Sequence, residues 1–126
     1  MSSSAAWSSE TSLAFDRDGP FDVASRVSAS SAPGDVKVSA TTIDRLVATY
    51  GIRSLYMIKV DVEGAELEVL EGARATLASL SPLVVCEIGN DYWKDVENYC
   101  AELFEFLSSV NYTCRMIDSP AELWTI

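Results

Sequence analysis

Apolar residues recur along this chain in two rhythms, and the change from one to the other comes at Thr41. Before it, a weak two-residue alternation at Leu13 and Phe15, and again at Val36, Val38 and Ala40, is broken by DRDGP and SSAPGD. That texture predicts one or two short strands joined by loops. After it, Ile43, Leu46, Val47 and Tyr50 fall at helical spacing, with Thr41 or Thr42 able to cap the start and Gly51 the end. The almost continuous run Leu55, Met57, Ile58, Val60 and Val62 predicts a strand over 55–61, covered on both faces. Leu67, Leu70, Ala73, Leu77 and Leu80 then form one helical stripe, predicting a helix over 65–79 that Ser81-Pro82 stops. A buried strand over 83–88 follows from Leu83, Val84, Val85, Cys86 and Ile88. A helix over 93–110 buries Val96, Tyr99, Cys100, Leu103, Leu107 and Val110, with Asn111 as its stop, and a last strand is expected over 112–117. The order αβαβαβ from residue 41 onward implies an α/β fold with a mainly parallel sheet and flanking helices, to which the loop-rich segment 1–40 belongs as part of the same domain.

Acids sit where such a sheet keeps its chemistry. The first long strand ends in Asp61-Val62-Glu63-Gly64, and the next carries Glu87 near its carboxyl end. In an open α/β sheet the carboxyl ends of the strands face the functional crevice. If the strand runs on far enough, alternation places Asp61 and Glu63 on one face, and Glu87 joins them from the neighbouring strand. Acids inside apolar runs cost stability unless they have a purpose. Lys59 is their candidate salt partner. Glu66, Glu68 and Glu71, by contrast, are expected to form a solvated helix face, and Glu63 has the plainer role of favouring a helix amino terminus.

Composition narrows the chemistry. The chain has 126 residues, enough for one domain with one core, and 19 acidic against 9 basic residues give a formal charge of −10. A field of that sign repels phosphates and anionic lipid, so nucleic acid and membrane surfaces are not expected partners. Histidine is absent, which excludes an imidazole base, a Ser-His-Asp triad and a histidine metal site. Three cysteines without a C-x-x-C pair fit a reducing, cytoplasmic setting, and no metal site is expected. No basic leader or bilayer-length apolar run is seen, so nothing is expected to target or anchor the chain.

The blocks T-I-D-R-L at 42–46, Gly51, I-K-V-D-V-E-G-A-E-L-E-V-L-E-G-A at 58–73 and V-V-C-E-I at 84–88 together resemble the FkbM-type methyltransferases. The likeness covers the last two thirds of the chain closely and the first third loosely, through A-W-S-S-E-T-S-L. It implies a Rossmann-like class I methyltransferase fold that uses S-adenosylmethionine to methylate a hydroxyl on a sugar or small metabolite. In that reaction the acceptor hydroxyl must lose a proton, and Asp61 is the candidate base, with Glu63 and Glu87 orienting acceptor hydroxyls. Asn90, Tyr92 and Trp93, just beyond Glu87, are candidates for binding the acceptor, since aromatic faces suit sugar rings.

A class I fold also opens with a strand and a glycine-rich turn that cradle the cofactor. The six glycines, at 19, 34, 51, 64, 72 and 89, include no G-x-G. The amino-terminal cofactor-binding strands are therefore expected to be absent, no cofactor-binding residue is assigned, and the chain reads as the carboxyl-terminal part of the family domain, a fragment or truncated form. Two other readings follow. One is a non-catalytic domain that self-associates through an exposed sheet edge. The other treats D-V-E-G as the D-x-D-G of magnesium-dependent phosphatases, although a glutamate stands in the second acidic place.

Overall fold

In the computed structural model, residues 4–15, 36–88 and 96–115 are described. The first part forms a three-stranded sheet from β1 (Ala5–Ala6), β2 (Thr11–Phe15) and β3 (Val36–Thr41), ordered β1-β3-β2. β3 runs parallel to β1 and antiparallel to β2, with Leu13 opposite Val38 and Phe15 opposite Val36. The weak alternation read in the sequence is thus the pairing of two real strands, and Ala5–Ala6 adds a third that carried no signal.

Helix α1 (Ile43–Tyr50) has the boundaries its punctuation predicts. Thr42 is the cap whose side chain accepts from Arg45 N–H, and Gly51 ends the helix in the left-handed conformation at φ 61°. Its stripe is shallow: no residue of α1 is fully buried, and Tyr50 is 75% exposed.

Strands β4 (Met57–Val60) and β5 (Leu83–Cys86) pair in parallel, Met57 beside Leu83 and Val60 beside Cys86. The parallel arrangement matches the expectation, but the predicted cover on both faces does not hold among the described residues. Ile58, Val60, Val84 and Cys86 pack against the core, while Met57 and Leu83 are 53% and 63% exposed. One face of this ribbon is buried and the other, with Lys59 on it, is open.

The helix expected over 65–79 is two helices, α2 (Glu66–Glu71) and α3 (Arg74–Leu80). Its stripe is correct, for Leu70, Ala73 and Leu77 are fully buried; the break falls at Gly72–Ala73, where the Gly72 carbonyl accepts from Asp44 N–H at 2.9 Å and Trp7 lies close by. A Cβ on Gly72 would stand 2.0 Å from the carbonyl oxygen of Trp7, so the first segment lies against this helix end and only glycine leaves room. Its φ is −70°, and space, not conformation, requires glycine here. The new amino terminus is capped from outside: both oxygens of Asp44 accept, from Ala75 N–H at 2.9 Å and Thr76 N–H at 2.7 Å. A cap of this type is worth about 0.5–2 kcal/mol.

Helix α4 (Val96–Ser109) closes the core with Tyr99, Leu103, Phe106 and Leu107. Asn111 follows it in the left-handed region at φ 66°, the stop its side chain predicts. The final strand expected over 112–117 does not form over 112–115; residues 116 and 117 lie outside the described part. Tyr112 instead donates its hydroxyl to the Pro82 carbonyl at 2.7 Å, which ties this segment to the start of β5 by a side chain. No helix among the described residues is long and apolar enough to cross a membrane.

Candidate active site

The described sheet carries its acids at one end. Val60 is the last residue of β4, and the ladder continues one step further through Glu87 N–H donating to the Val60 carbonyl at 3.0 Å. The register pairs Lys59 with Val85 and Val60 with Cys86, so the next step sets Asp61 beside Glu87. In a parallel pair, residues side by side share a face. Both acids are exposed, next to Lys59, whose ammonium bonds Asp61 Oδ2 at 2.5 Å. Lys59 is held above the ordinary lysine pKa by that hydrogen bond and by the charges of Asp61 and Glu87. One cation therefore feels both carboxylates, and Asp61 Oδ1 has no hydrogen-bond partner among the described residues.

Glu63 does not reach this face by strand alternation. The strand stops at Val60, and Glu63 adopts φ 54° ahead of Gly64 at φ 100°. A glutamate in the left-handed region costs on the order of 1–3 kcal/mol and persists only where its surroundings hold it. Among the described residues no group of three or more Cys, Asp or Glu side chains gathers closely enough to hold a metal ion, so Asp61, Glu63 and Glu87 do not form a tight triad. Asn90, Tyr92 and Trp93 lie outside the described residues.

What holds the turn is a residue that the sequence reading assigned to solvent. Glu66 is 1% exposed. Its Oε1 accepts from Gly64 N–H at 3.1 Å, and its Oε2 accepts from the Tyr99 hydroxyl at 2.7 Å. The same hydroxyl accepts from Leu67 N–H at 3.1 Å. Burial, reinforced by the hydrogen bond to Glu66, raises the Tyr99 phenol well above its ordinary pKa, so it stays protonated and donates. The expected solvated face is real at Glu71 alone, which is exposed. Glu68 has a buried Oε2 without a hydrogen-bond partner, and burial raises its carboxyl, with Glu71 and Glu66 adding to the effect. A signal for Glu66 was available: stepping back four residues from Leu70 along the stripe lands on it.

Nearby, burial pushes the Cys86 thiol up to about 11, with the Glu66 charge contributing. Such a thiol is a poor nucleophile at neutral pH, and Cys86 belongs to the core wall and not to the chemistry.

The family model described as the methyltransferase FkbM domain matches residues 3–114. The chain belongs to the FkbM methyltransferase domain family. The match takes in the first segment as well as the I-K-V-D-V-E-G-A-E block, so β1–β3 are part of the FkbM domain. No curated protein and no solved structure matches the chain.

Membership turns two of the quoted blocks into structure. In T-I-D-R-L, Thr42 caps α1 and Asp44 caps α3; these residues build the scaffold. In the longer block, Gly72 admits Trp7, while Asp61, Glu63, Gly64 and Glu66 make the turn. The methyl donor used by methyltransferases needs a place to lie, and the described glycines do not form it. Gly64 gives its N–H to Glu66, Gly72 is filled by Trp7, and Gly51 ends a helix.

Proposed function

We propose that this FkbM domain serves O-methylation of a sugar or small-metabolite hydroxyl with S-adenosylmethionine as donor, and that Asp61 takes the acceptor's proton. The observation that carries the reading is the arrangement of Asp61 itself. It sits one step past the end of β4, exposed, with Oδ2 on Lys59 and Oδ1 unpartnered among the described residues. Methyl transfer to an alcohol is an in-line displacement, for which the protein aligns the acceptor and receives its proton. A hydroxyl donating to Oδ1 is oriented and loses its proton to the same atom, while Lys59 keeps the carboxylate from swinging. Glu87, beside Asp61 on the open face, supplies acceptors for a second hydroxyl, as a polyol or sugar offers. Glu63 flanks them on the turn, and Asn90, Tyr92 and Trp93, which follow Glu87 in the sequence, are the residues proposed to bind the acceptor.

A positioned general base contributes roughly 10²–10⁴-fold. Asp61→Asn is expected to lower methyl transfer from S-adenosylmethionine to a panel of monosaccharides by that factor. Unchanged turnover would remove Asp61 from the base role.

A second reading has its own support. Met57 and Leu83 are 53% and 63% exposed and sit side by side on the open face of the β4–β5 ladder. A short parallel ribbon with an uncovered apolar face and unpaired outer edges among the described residues is a template for a second copy. Sedimentation across a hundredfold range of concentration tests this: association that Met57→Lys weakens supports it, and a monomer throughout rejects it.

A further inference from the structure

Two costly features stand on either side of Gly64. Glu63 holds a backbone conformation that side chains disfavour, at φ 54°, and Glu66 carries a carboxylate that is almost wholly withdrawn from water. Neither is an apolar contact of α2 with the core, which Val69 and Leu70 make. Their common feature is the turn, which Glu66 grips through Gly64 N–H. Tyr99 brings α4 into the same grip: its hydroxyl donates to Glu66 and accepts from Leu67 N–H, anchoring the carboxylate to an element 33 residues away.

We propose that Glu66 and Tyr99 are positioning residues, which lock the Glu63–Gly64 turn from its buried side and so set where Glu63 stands on the turn and Asp61 on the open side. The lock itself is independent of the reaction; its relevance to methyl transfer rests on the reading given above. The geometry is directional. Asp61, Val62, Glu63 and Gly64 form one short span between the last ladder bond at Val60 and the grip of Glu66. With both ends of the span held, the acids have little freedom; with the second end released, only the strand holds them.

The test compares amide exchange at single residues of the full chain with methyl-transfer kinetics. In Glu66→Ala, Gly64 N–H loses its acceptor and is expected to exchange at least about tenfold faster. The Leu83 and Glu87 amides, which donate across the ribbon to Tyr56 and Val60, are expected to exchange as in the unmodified protein. Glu66→Gln keeps an acceptor oxygen and restores most of the protection at Gly64. Should Glu66→Ala fail to fold, Tyr99→Phe keeps the ring in the core, deletes only the hydroxyl, and is expected to speed exchange at Leu67 and Gly64 with the ribbon unchanged. Protection at Gly64 equal to that of the unmodified chain, or lost in step with Leu83 and Glu87, would overturn the lock.

In the kinetic arm, Glu66→Ala lowers kcat per folded molecule at least tenfold, the folded fraction being measured separately by circular dichroism, and Glu66→Gln recovers it; an apparent kcat that falls only in proportion to the folded fraction, with KM unchanged, would mark a merely structural role. A chain that transfers no methyl group before mutation removes the methyltransferase reading, and exchange at Gly64 then decides the lock by itself.

Discussion

Asp44 and Glu66 each use both carboxylate oxygens as hydrogen-bond acceptors, one at the seam between α1 and α3, the other behind the turn that follows β4. Asp44 accepts from two adjacent amides at a helix start, near solvent. Glu66 does its work 1% exposed, with one bond to the turn and one to a tyrosine of another helix. The first is a cap that any well-placed acid near the surface supplies. The second requires a charge to be withdrawn from water, and losing one partner leaves it stranded, a cost of several kcal/mol. The difference teaches where to look for chemistry in this molecule. The seam is scaffold throughout, whereas the turn combines strain, a buried charge and an exposed acid within six residues.

Crowding the end of α2, next to the seam, gives a larger effect on stability than changing Glu68. Gly72→Ala drives a Cβ to 2.0 Å from the Trp7 carbonyl oxygen, and backbone on both sides must move. Such overpacking costs about 1–3 kcal/mol, so the denaturant midpoint is expected to fall with an unchanged slope. A midpoint equal to that of the parent would mean that the first segment does not pack there.

The smaller effect belongs to the turn's own helix, at Glu68. Burial raises its carboxyl, so the folded chain holds this proton more tightly than the unfolded chain does. Its contribution to stability is fully present below the ordinary carboxylate pKa and is lost as pH rises through the raised one. Glu68→Gln, which cannot ionise, is therefore expected to be more stable than the parent at pH 7 by less than about 1 kcal/mol, the group being partly solvated. The two should melt alike near pH 3. A gain as large at pH 3 as at pH 7 would show that the charge is not the cause. Together with Glu66→Ala, this separates a carboxylate that the fold uses from a neighbour that it merely tolerates.

Much of the frame was legible because it depends on neighbours in sequence. Thr42, Gly51 and Asn111 act within one turn of their own helix ends, and the α1 boundaries follow from them. The stripe through Leu70, Ala73 and Leu77 and the parallel order of β4 and β5 were readable from periodicity. The split between α2 and α3 was not, because the groups that meet it, Trp7 against Gly72 and Asp44 at the start of α3, come from distant parts of the chain. The strand expected after α4 was misread because an apolar alternation at Tyr112 and Cys114 serves packing as well as it serves a ladder. At the site, the position of Asp61 and Glu87 at the carboxyl ends was legible, and their adjacency follows from the register. The convergence of Glu63 by alternation failed because the strand ends three residues earlier.

By itself, then, the amino-acid sequence determined the kind of elements, their caps, the family motif and the acids at the strand ends, all of which rest on local spacing and side-chain type. Only the tertiary structure decided which acid is buried. Glu66, Glu68 and Glu71 are the same residue type on one short helix, and its stripe marks only the face that Glu66 shares with Leu70, not what meets the carboxylate there. The distinction arises from α4, whose Tyr99 delivers a hydroxyl to one of them and to no other. Burial of a charge is a property of what packs against it, and that is known only once distant segments meet.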